Sequence, residues 1–229
     1  MIQAIFFDFN GVIIDDEPLQ MTAYQEVLRE HGIELSESDY YGALGMDDEM
    51  FVRAAFARAN KELSDKVFEQ TMAAKTVRHR QMIENELPLF PGVVTFLKST
   101  SRHVSLGVVS MAMLSEIDHV LDRAHLQSVF SVIVSTEDVN SCKPAPDCYR
   151  RGLEKLNEKR KGAGLSPLSP NECLVIEDSP PGIESGRQAG MHTLGMTNTV
   201  SAEQLRAAGA EVVTASLADW TIDAVRRVF

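Results

Sequence analysis

Hydrophobic positions along the chain follow two different spacings, and these predict two kinds of structure. A short apolar run over residues 2–8 is typical of a buried strand, and it ends in the sequence DFNG. Between residues 19 and 86 no strand pattern is found. Apolar residues there recur at helical spacing in three segments, which are 19–32, 47–62 and 64–86. The sequence therefore predicts a strand followed by a contiguous block of helices.

Strands and helices alternate after this block. Runs of strand length lie at 104–110, 131–135, 173–178 and 192–196. Helical segments precede or separate them, at 93–101, 113–124, 146–158 and 180–189. Such alternation predicts an α/β fold, with a parallel sheet that carries helices on both faces. The segment 159–172 is rich in Gly, Pro and Ser and predicts a surface loop.

Composition narrows the choice of partners. The chain has 229 residues, of which 44% are hydrophobic, so a sizeable core can be buried. A formal net charge of −11 disfavours nucleic acid or an anionic membrane as a partner, although it leaves small anionic substrates open. No apolar run could span a bilayer, and the first residues lack the pattern of a signal peptide. Three scattered cysteines suit reduced thiols better than a disulfide framework or a zinc cluster, so a cytoplasmic protein is expected.

Polar residues follow several of the predicted strands. Each has a local explanation as a turn signal, a helix cap or a loop residue. Because parallel strands end at one rim of the sheet, however, these residues are expected to lie together, and Mg²⁺ among the carboxylates would relieve their repulsion. The rim is therefore predicted to hold magnesium and a phosphate group. The residues concerned are Asp8, Asn10, Ser110, Lys143, Glu177 and Asp178.

Four motifs in the same order carry a resemblance over nearly the whole chain, namely DFNGV, VVS, KPAPD and VIEDSPPGIESGRQAGM. The chain resembles the haloacid dehalogenase superfamily, in the branch with a helical cap inserted after the first strand. It is more similar to the sugar-phosphate mutases and small-metabolite phosphatases than to the true dehalogenases, which lack the acidic metal pair. The resemblance implies a Rossmann-like core of residues 1–14 and 86–229 and a cap of residues 15–85. The active site would lie between them and act on a small phosphorylated metabolite.

The resemblance and the chemistry of the side chains together assign roles around the metal. Asp8 is the expected nucleophile, because a carboxylate is ionised at neutral pH and its phosphoryl adduct is open to hydrolysis. Magnesium is expected between the Asp8 and Asp178 carboxylates and the backbone carbonyl of Asn10. Glu177 would take part through a water molecule.

Substrate contacts are expected from both sides of the site. Lys143 would bind phosphoryl oxygens, Ser110 would donate a hydrogen bond to them, and Gly11 would let the chain turn sharply beneath the substrate. The segment 42–50, GALGMDDEM, is the expected cap loop, whereas Arg53 is assigned to a solvated helix face. The other candidate contacts are Met46, Asp47, Asp48 and Met111.

Asn10 departs from the family pattern, which has a second aspartate there to protonate the leaving oxygen. An amide cannot exchange a proton near neutral pH, and general acid–base catalysis contributes roughly 10²–10⁴-fold. Three alternatives remain open: a weak activity, an engineered substitution that traps a state, or another acid. Asp16 is the candidate for that acid, since the family usually has a small hydroxyl residue at its position. The competing interpretation is that Asp16 is a solvated charge at the hinge into the cap.

Two classes of function follow. The first is a magnesium-dependent phosphatase that works through an aspartyl-phosphate, and the second is a catalytically impaired phosphate-binding or regulatory relative. A β-phosphoglucomutase-like phosphomutase is a further alternative, disfavoured by Asn10 and by Gln20, where that enzyme has a histidine. A phosphonate hydrolase is disfavoured because residues 42–50 contain no lysine. No histidine is assigned a role, and a monomer or weak homodimer is expected.

Overall fold

The first strand, β1, lies inside a six-stranded parallel sheet, in a computed structural model that describes all 229 residues. The strands are β1 (Ala4–Phe7), β2 (Ser105–Val109), β3 (Val132–Val134), β4 (Cys173–Glu177), β5 (His192–Met196) and β6 (Val212–Thr214). Their order across the sheet is β3-β2-β1-β4-β5-β6. This confirms the predicted α/β class and all of the predicted strands, with the same bounds for β5 and shorter bounds for the others, and β6 is a strand that the sequence pattern did not predict.

Helices cover both faces of the sheet, because successive side chains of a strand point to opposite sides. In β1, Ile5 and Phe7 join one hydrophobic cluster, and Ala4 and Phe6 join another. The helices after residue 90 are α5 (Val93–Thr100), α6 (Leu114–Arg123), α7 (Asp147–Gly162), α8 (Pro180–Gln188), α9 (Ala202–Ala208) and α10 (Ile222–Val228). The first cluster is closed by α5, α6 and α10, and the second by α7.

The segment between β1 and α5 is helical, as its spacing predicts. Its four helices share a hydrophobic cluster of their own, which includes Tyr24, Leu28, Phe51 and Phe56. The division of the chain into a core and a cap at residues 15–85 stays a prediction. The helices are α1 (Glu17–Glu30), α2 (Glu37–Tyr41), α3 (Asp48–Arg58) and α4 (Asp65–Ile83).

The loop predicted at 159–172 is wrong at its start, because α7 continues to Gly162. Lys159, Arg160 and Lys161 form its last turn. Lysine and arginine are good helix formers, and their positive charges suit the negative end of the helix dipole. The Gly- and Pro-containing remainder of the segment does form the connection to β4. None of the helices combines the length with the apolar character that crossing a membrane requires.

The order of the strands creates the crevice in which a ligand would lie. The chain runs from β1 outward through β2 to β3 and then returns to the other side of β1 as β4. At such a reversal the connections after neighbouring strands leave in opposite directions, and ligands gather outside the strand ends. The Asp8 N–H donates to the Ile176 carbonyl (2.9 Å) and the Ser110 N–H to the Val134 carbonyl (3.0 Å), which holds both residues at this rim.

Candidate active site

Asp8, Lys143 and Glu177 form a chain of charges at the rim. Lys143 reaches in from the connection between β3 and α7, and its Nζ lies 2.9 Å from Asp8 Oδ1 and 2.6 Å from Glu177 Oε1. Asp178 follows Glu177, and one carboxylate oxygen from each of the three acids falls within a group only 4.8 Å across. The rim residues singled out from the sequence are therefore neighbours in the fold.

Both oxygens of Glu177 are used in holding the site together. Its Oε1 accepts hydrogen bonds from Lys143 and from the Tyr149 hydroxyl (2.8 Å), and its Oε2 accepts from the Ser179 hydroxyl (3.1 Å). A Cβ at Gly182 would lie 1.9 Å from the carboxyl carbon, so only glycine fits there. Glu177 is completely buried and fixes the ammonium of Lys143 beside Asp8. Tyr149 gave no signal in the sequence, because it lies within an ordinary amphipathic helix.

Burial, together with the crowding of like charges, raises the pKa values of these carboxyl groups. Burial raises the pKa of Asp8 to about 7, and the charge of Glu177 adds to the rise while Lys143 opposes it. Burial, followed by the charges of Glu177 and Asp8, raises the pKa of Asp178 well above its ordinary value. Burial alone would lower the pKa of Lys143, but Asp8 and Glu177 outweigh it and hold the pKa above its usual value. One ammonium faces three carboxylates, and a hard divalent cation with oxygen ligands fits this donor set.

Gly11 lies beneath Asp178. Its φ is +74°, and a Cβ there would lie 1.8 Å from Asp178 Oδ2, so the glycine is what lets the carboxylate come so close. The Thr199 hydroxyl donates to the same Oδ2, and Asn198 Nδ2 donates to the Gly11 carbonyl (2.7 Å). Gly11 does not line the cavity described below, so the structure gives it a position beneath the acid rather than against a substrate.

Asn10 is tied to Asp16 by two hydrogen bonds. The Asn10 Nδ2 donates to Asp16 Oδ1 (2.9 Å) and Oδ2 (3.1 Å), and Gln20 Nε2 donates to Oδ2 (3.1 Å). The His79 Nε2 lies 2.8 Å from the same Oδ2. Asp16 has no exposed surface, so its interpretation as a solvated hinge charge is wrong. Instead, Asp16 joins the loop after β1 to helices α1 and α4.

A cavity of about 120 Å³ separates the rim from the four helices. The rim contributes Asp8, Asn10, Ser110, Met111, Lys143 and Asp178 to its lining. The predicted cap loop contributes residues 43–48, including Met46, Asp47 and Asp48. Asp47 is largely engaged as a helix cap, since its Oδ1 accepts from the Met50 N–H (2.7 Å) and its Oδ2 from the Cys142 thiol (3.1 Å). Asp16 and Arg53 do not reach the cavity.

Lys75 lies in the wall of the cavity opposite the rim, and no sequence pattern identified it as a site residue. Its ammonium lies 3.0 Å from Glu116 of α6 and 3.6 Å from Asp48 of α3, and it sits 5.1 Å from the centre of the Tyr24 ring. The Tyr24 hydroxyl donates to Asp48. Burial alone would lower the pKa of Lys75, but the two carboxylates outweigh it and raise the pKa. These contacts join residues of three different helices, so no local pattern could reveal them.

The chain that carries this site has many known relatives. The family model described as haloacid dehalogenase-like hydrolase matches residues 5–196. Hexitol phosphatase B of Escherichia coli K12 is 28% identical over 226 residues, which cover 96% of this chain and 95% of that protein. A β-phosphoglucomutase of Clostridium difficile shares the fold with a TM-score of 0.85 at 21% identity, covering 100% of this chain and 97% of that one. A mutant of CbbY from Rhodobacter sphaeroides, solved with xylulose-(1,5)bisphosphate, has a TM-score of 0.80 at 25% identity, covering 96% of each chain.

The buried carboxylate of Asp16 leads to a prediction about stability. Asp16→Ala leaves the amides of Asn10 and Gln20 without their acceptor, so we expect it to lower the free energy of unfolding by about 2–4 kcal/mol. The neighbouring Asp15 is exposed and serves as the matched control, with an expected change below about 0.5 kcal/mol for Asp15→Ala. Urea unfolding measures both. Equal midpoints for the two variants would show that the network around Asp16 does not support the fold.

Proposed function

Because this chain belongs to the haloacid dehalogenase-like hydrolase family, we propose that it is a magnesium-dependent phosphatase of a small phosphorylated carbohydrate. The observation that carries the proposal is the position of Asp8, whose carboxylate contacts Lys143 and lies beside Asp178 where the cavity meets the rim. The name of the Escherichia coli relative, a hexitol phosphatase, supports a phosphorylated polyol or sugar as the substrate. The residues around the cavity support each part of this reaction.

The metal would be held by the Asp8 and Asp178 carboxylates and the backbone carbonyl of Asn10, with Glu177 acting through water. Bound there, Mg²⁺ would screen the negative charge that otherwise keeps an anionic phosphate away from an anionic nucleophile. Glu177 supports this arrangement through Lys143, because it keeps the ammonium within 2.9 Å of Asp8. Thr199 orients the Asp178 carboxylate from the opposite side.

Asp8 would attack the phosphorus atom and expel the ester oxygen, which leaves the phosphoryl group on the Asp8 carboxylate. Lys143 and the hydroxyl of Ser110 would bind the phosphoryl oxygens during this transfer. The Ser110 Oγ accepts from the Ala112 N–H (3.0 Å), so its own hydrogen is free to point at the substrate. Attack of water on the phosphorylated Asp8 would then release inorganic phosphate and restore the carboxylate.

The far wall of the cavity suits a carbohydrate. Lys75 supplies hydrogen-bond donors, Asp48 and Glu116 supply acceptors, and Tyr24 and Tyr40 also line this space. Sugar and polyol hydroxyl groups donate and accept hydrogen bonds alike, so they match a wall of this mixed character. Cytoplasmic location and a monomer or weak homodimer stay predictions.

A second candidate function is phosphate binding without efficient turnover. It is favoured by Asn10, which lines the cavity at the position where the family pattern has a proton-transferring aspartate. A phosphomutase is a third candidate, and it would return the phosphoryl group to a sugar instead of to water. A multiple-turnover assay of inorganic phosphate release from hexitol and sugar phosphates separates the three. Sustained release supports the phosphatase, whereas binding without release or isomerisation without release contradicts it.

Magnesium dependence gives a direct prediction. Asp178→Asn preserves the size of the side chain and the acceptor for Thr199 but removes a charge that would bind the metal. We expect it to weaken Mg²⁺ binding at least about tenfold in calorimetry and to reduce phosphate release in proportion. Asp219→Ala removes an exposed aspartate elsewhere on the core and is the control that should change neither quantity. Unchanged magnesium affinity in Asp178→Asn would remove this residue from the metal site.

A further inference from the structure

The proposed phosphatase reaction, on which this inference rests, needs a proton for the leaving oxygen. Asn10 lines the cavity, but its amide does not release a proton near neutral pH. Asp16 is completely buried outside the cavity, and both of its oxygens accept hydrogen bonds from the Asn10 amide. The donor that replaces the missing acid must therefore be sought among the other carboxyl groups that line the cavity.

Four carboxyl groups line the cavity apart from Asp8 and Asp178, which belong to the metal side. Three of them have other roles in the structure: Asp47 caps α3, and Asp48 and Glu116 neutralise Lys75. The fourth is Glu17, the first residue of α1. None of the ion pairs in the structure includes Glu17, and its one side-chain hydrogen bond comes from the Tyr40 hydroxyl, which donates to Oε2 at 2.8 Å.

We infer that Glu17 is the general acid and base of this enzyme. When Asp8 forms its bond to phosphorus and the phosphorus–ester oxygen bond breaks, the Glu17 carboxyl gives its proton to the departing oxygen, which leaves as an alcohol. The Glu17 carboxylate then takes a proton from the water that attacks the phosphorylated Asp8. Phosphate departs, the Asp8 carboxylate is restored, and Glu17 is protonated again.

Position supports this assignment. Glu17 follows Asp16 directly, at the point where the chain leaves the rim and enters the helices, so it can reach the cavity between them. The hydrogen bond from Tyr40 of α2 occupies Oε2 and fixes the carboxyl group, while Oε1 has no partner in the protein. A proton donor needs this combination of a fixed carboxyl group and a free oxygen within reach of the substrate.

The surroundings of Glu17 also raise its pKa into the neutral range, where the group can both give and take a proton as general acid–base catalysis requires. Burial raises the pKa of Glu17 to about 7, the charge of Asp16 adds to the rise, and the hydrogen bond from Tyr40 opposes it. The charge of Asp8 acts in the same direction as that of Asp16, and Lys75 acts against them. The titratable groups that face Glu17 are Asp8, Asp16, Tyr40, Tyr41, Lys75 and Asp178. Asp16 thereby acquires a supporting role, since its charge favours the protonated form of its neighbour.

The test compares two leaving groups, a hexitol alkoxide and p-nitrophenolate. An alkoxide needs a proton to leave and p-nitrophenolate does not, so Glu17→Gln should lower kcat/KM for a hexitol phosphate by roughly 10²-fold or more. For p-nitrophenyl phosphate the loss should stay below about threefold. Glutamine keeps an acceptor for Tyr40, and urea unfolding confirms that the variant is folded. Glu26→Gln removes a charge from the surface of the same helix and is the control that should change neither rate.

The pH profile provides a readout that a purely structural role would not affect. With the hexitol phosphate, the wild-type kcat/KM should fall as the pH rises through the pKa of Glu17, because the donor loses its proton. Glu17→Gln should lose this alkaline limb, and Glu17→Asp should keep it at a lower rate. Parallel losses on both substrates, or a limb that persists in Glu17→Gln, would overturn the inference. Failure of the wild-type protein to release phosphate from both the hexitol phosphate and p-nitrophenyl phosphate would instead overturn the proposed phosphatase and this inference with it.

Discussion

The site depends on one electrostatic constraint, which is that three carboxylates share a buried rim with one ammonium. Lys143 is held between Asp8 and Glu177, and its charge offsets only part of theirs. Burial raises the pKa of Asp8 to about 7, the charge of Glu177 adds to the rise, and both disfavour the carboxylate that a nucleophile requires. A divalent cation bound at the rim would lower the pKa of Asp8 again and favour its carboxylate. The proposed nucleophile and the proposed requirement for metal therefore follow from the same electrostatic constraint. The fold maintains the crowding with close contacts, above all the glycines beneath Glu177 and Asp178, where any side chain would collide with a carboxylate.

Strand ends explain why much of this could be predicted from the sequence. An apolar run that stops at a polar residue indicates both the strand and the place where a side chain leaves the sheet, and parallel strands bring these places to one rim. Asp8, Ser110, Glu177 and Asp178 were found in this way. Lys143 lies on a longer connection, and its motif identified it. The helices between β1 and α5 could be predicted equally well, because apolar residues recur there at helical spacing.

Contacts between distant helices could not be predicted in the same way. Lys75 approaches Glu116 across 41 positions of sequence, and His79 approaches Asp16 across 63. Helix α4 carries both residues and has no local signal for these partners, since a buried lysine or histidine has the same spacing as any residue on a packed face. Asp16 illustrates the point most clearly: its sequence position suggested a solvated hinge, and only the packing of α1 and α4 shows that it is sealed inside. The missing acid at Asn10 was visible in the sequence, but its substitute depends on which carboxyl group the helices direct into the cavity.

Asp8 as the attacking group is the central claim, and rapid quenching of a single turnover tests it most directly. Enzyme in excess of a hexitol phosphate, with Mg²⁺ present, is stopped in acid at successive times, digested and examined by mass spectrometry. The account predicts that the peptide containing Asp8 gains a phosphoryl group and loses it as inorganic phosphate appears. An Asp8 that stays unmodified at every time point, while the substrate is converted, would contradict the account.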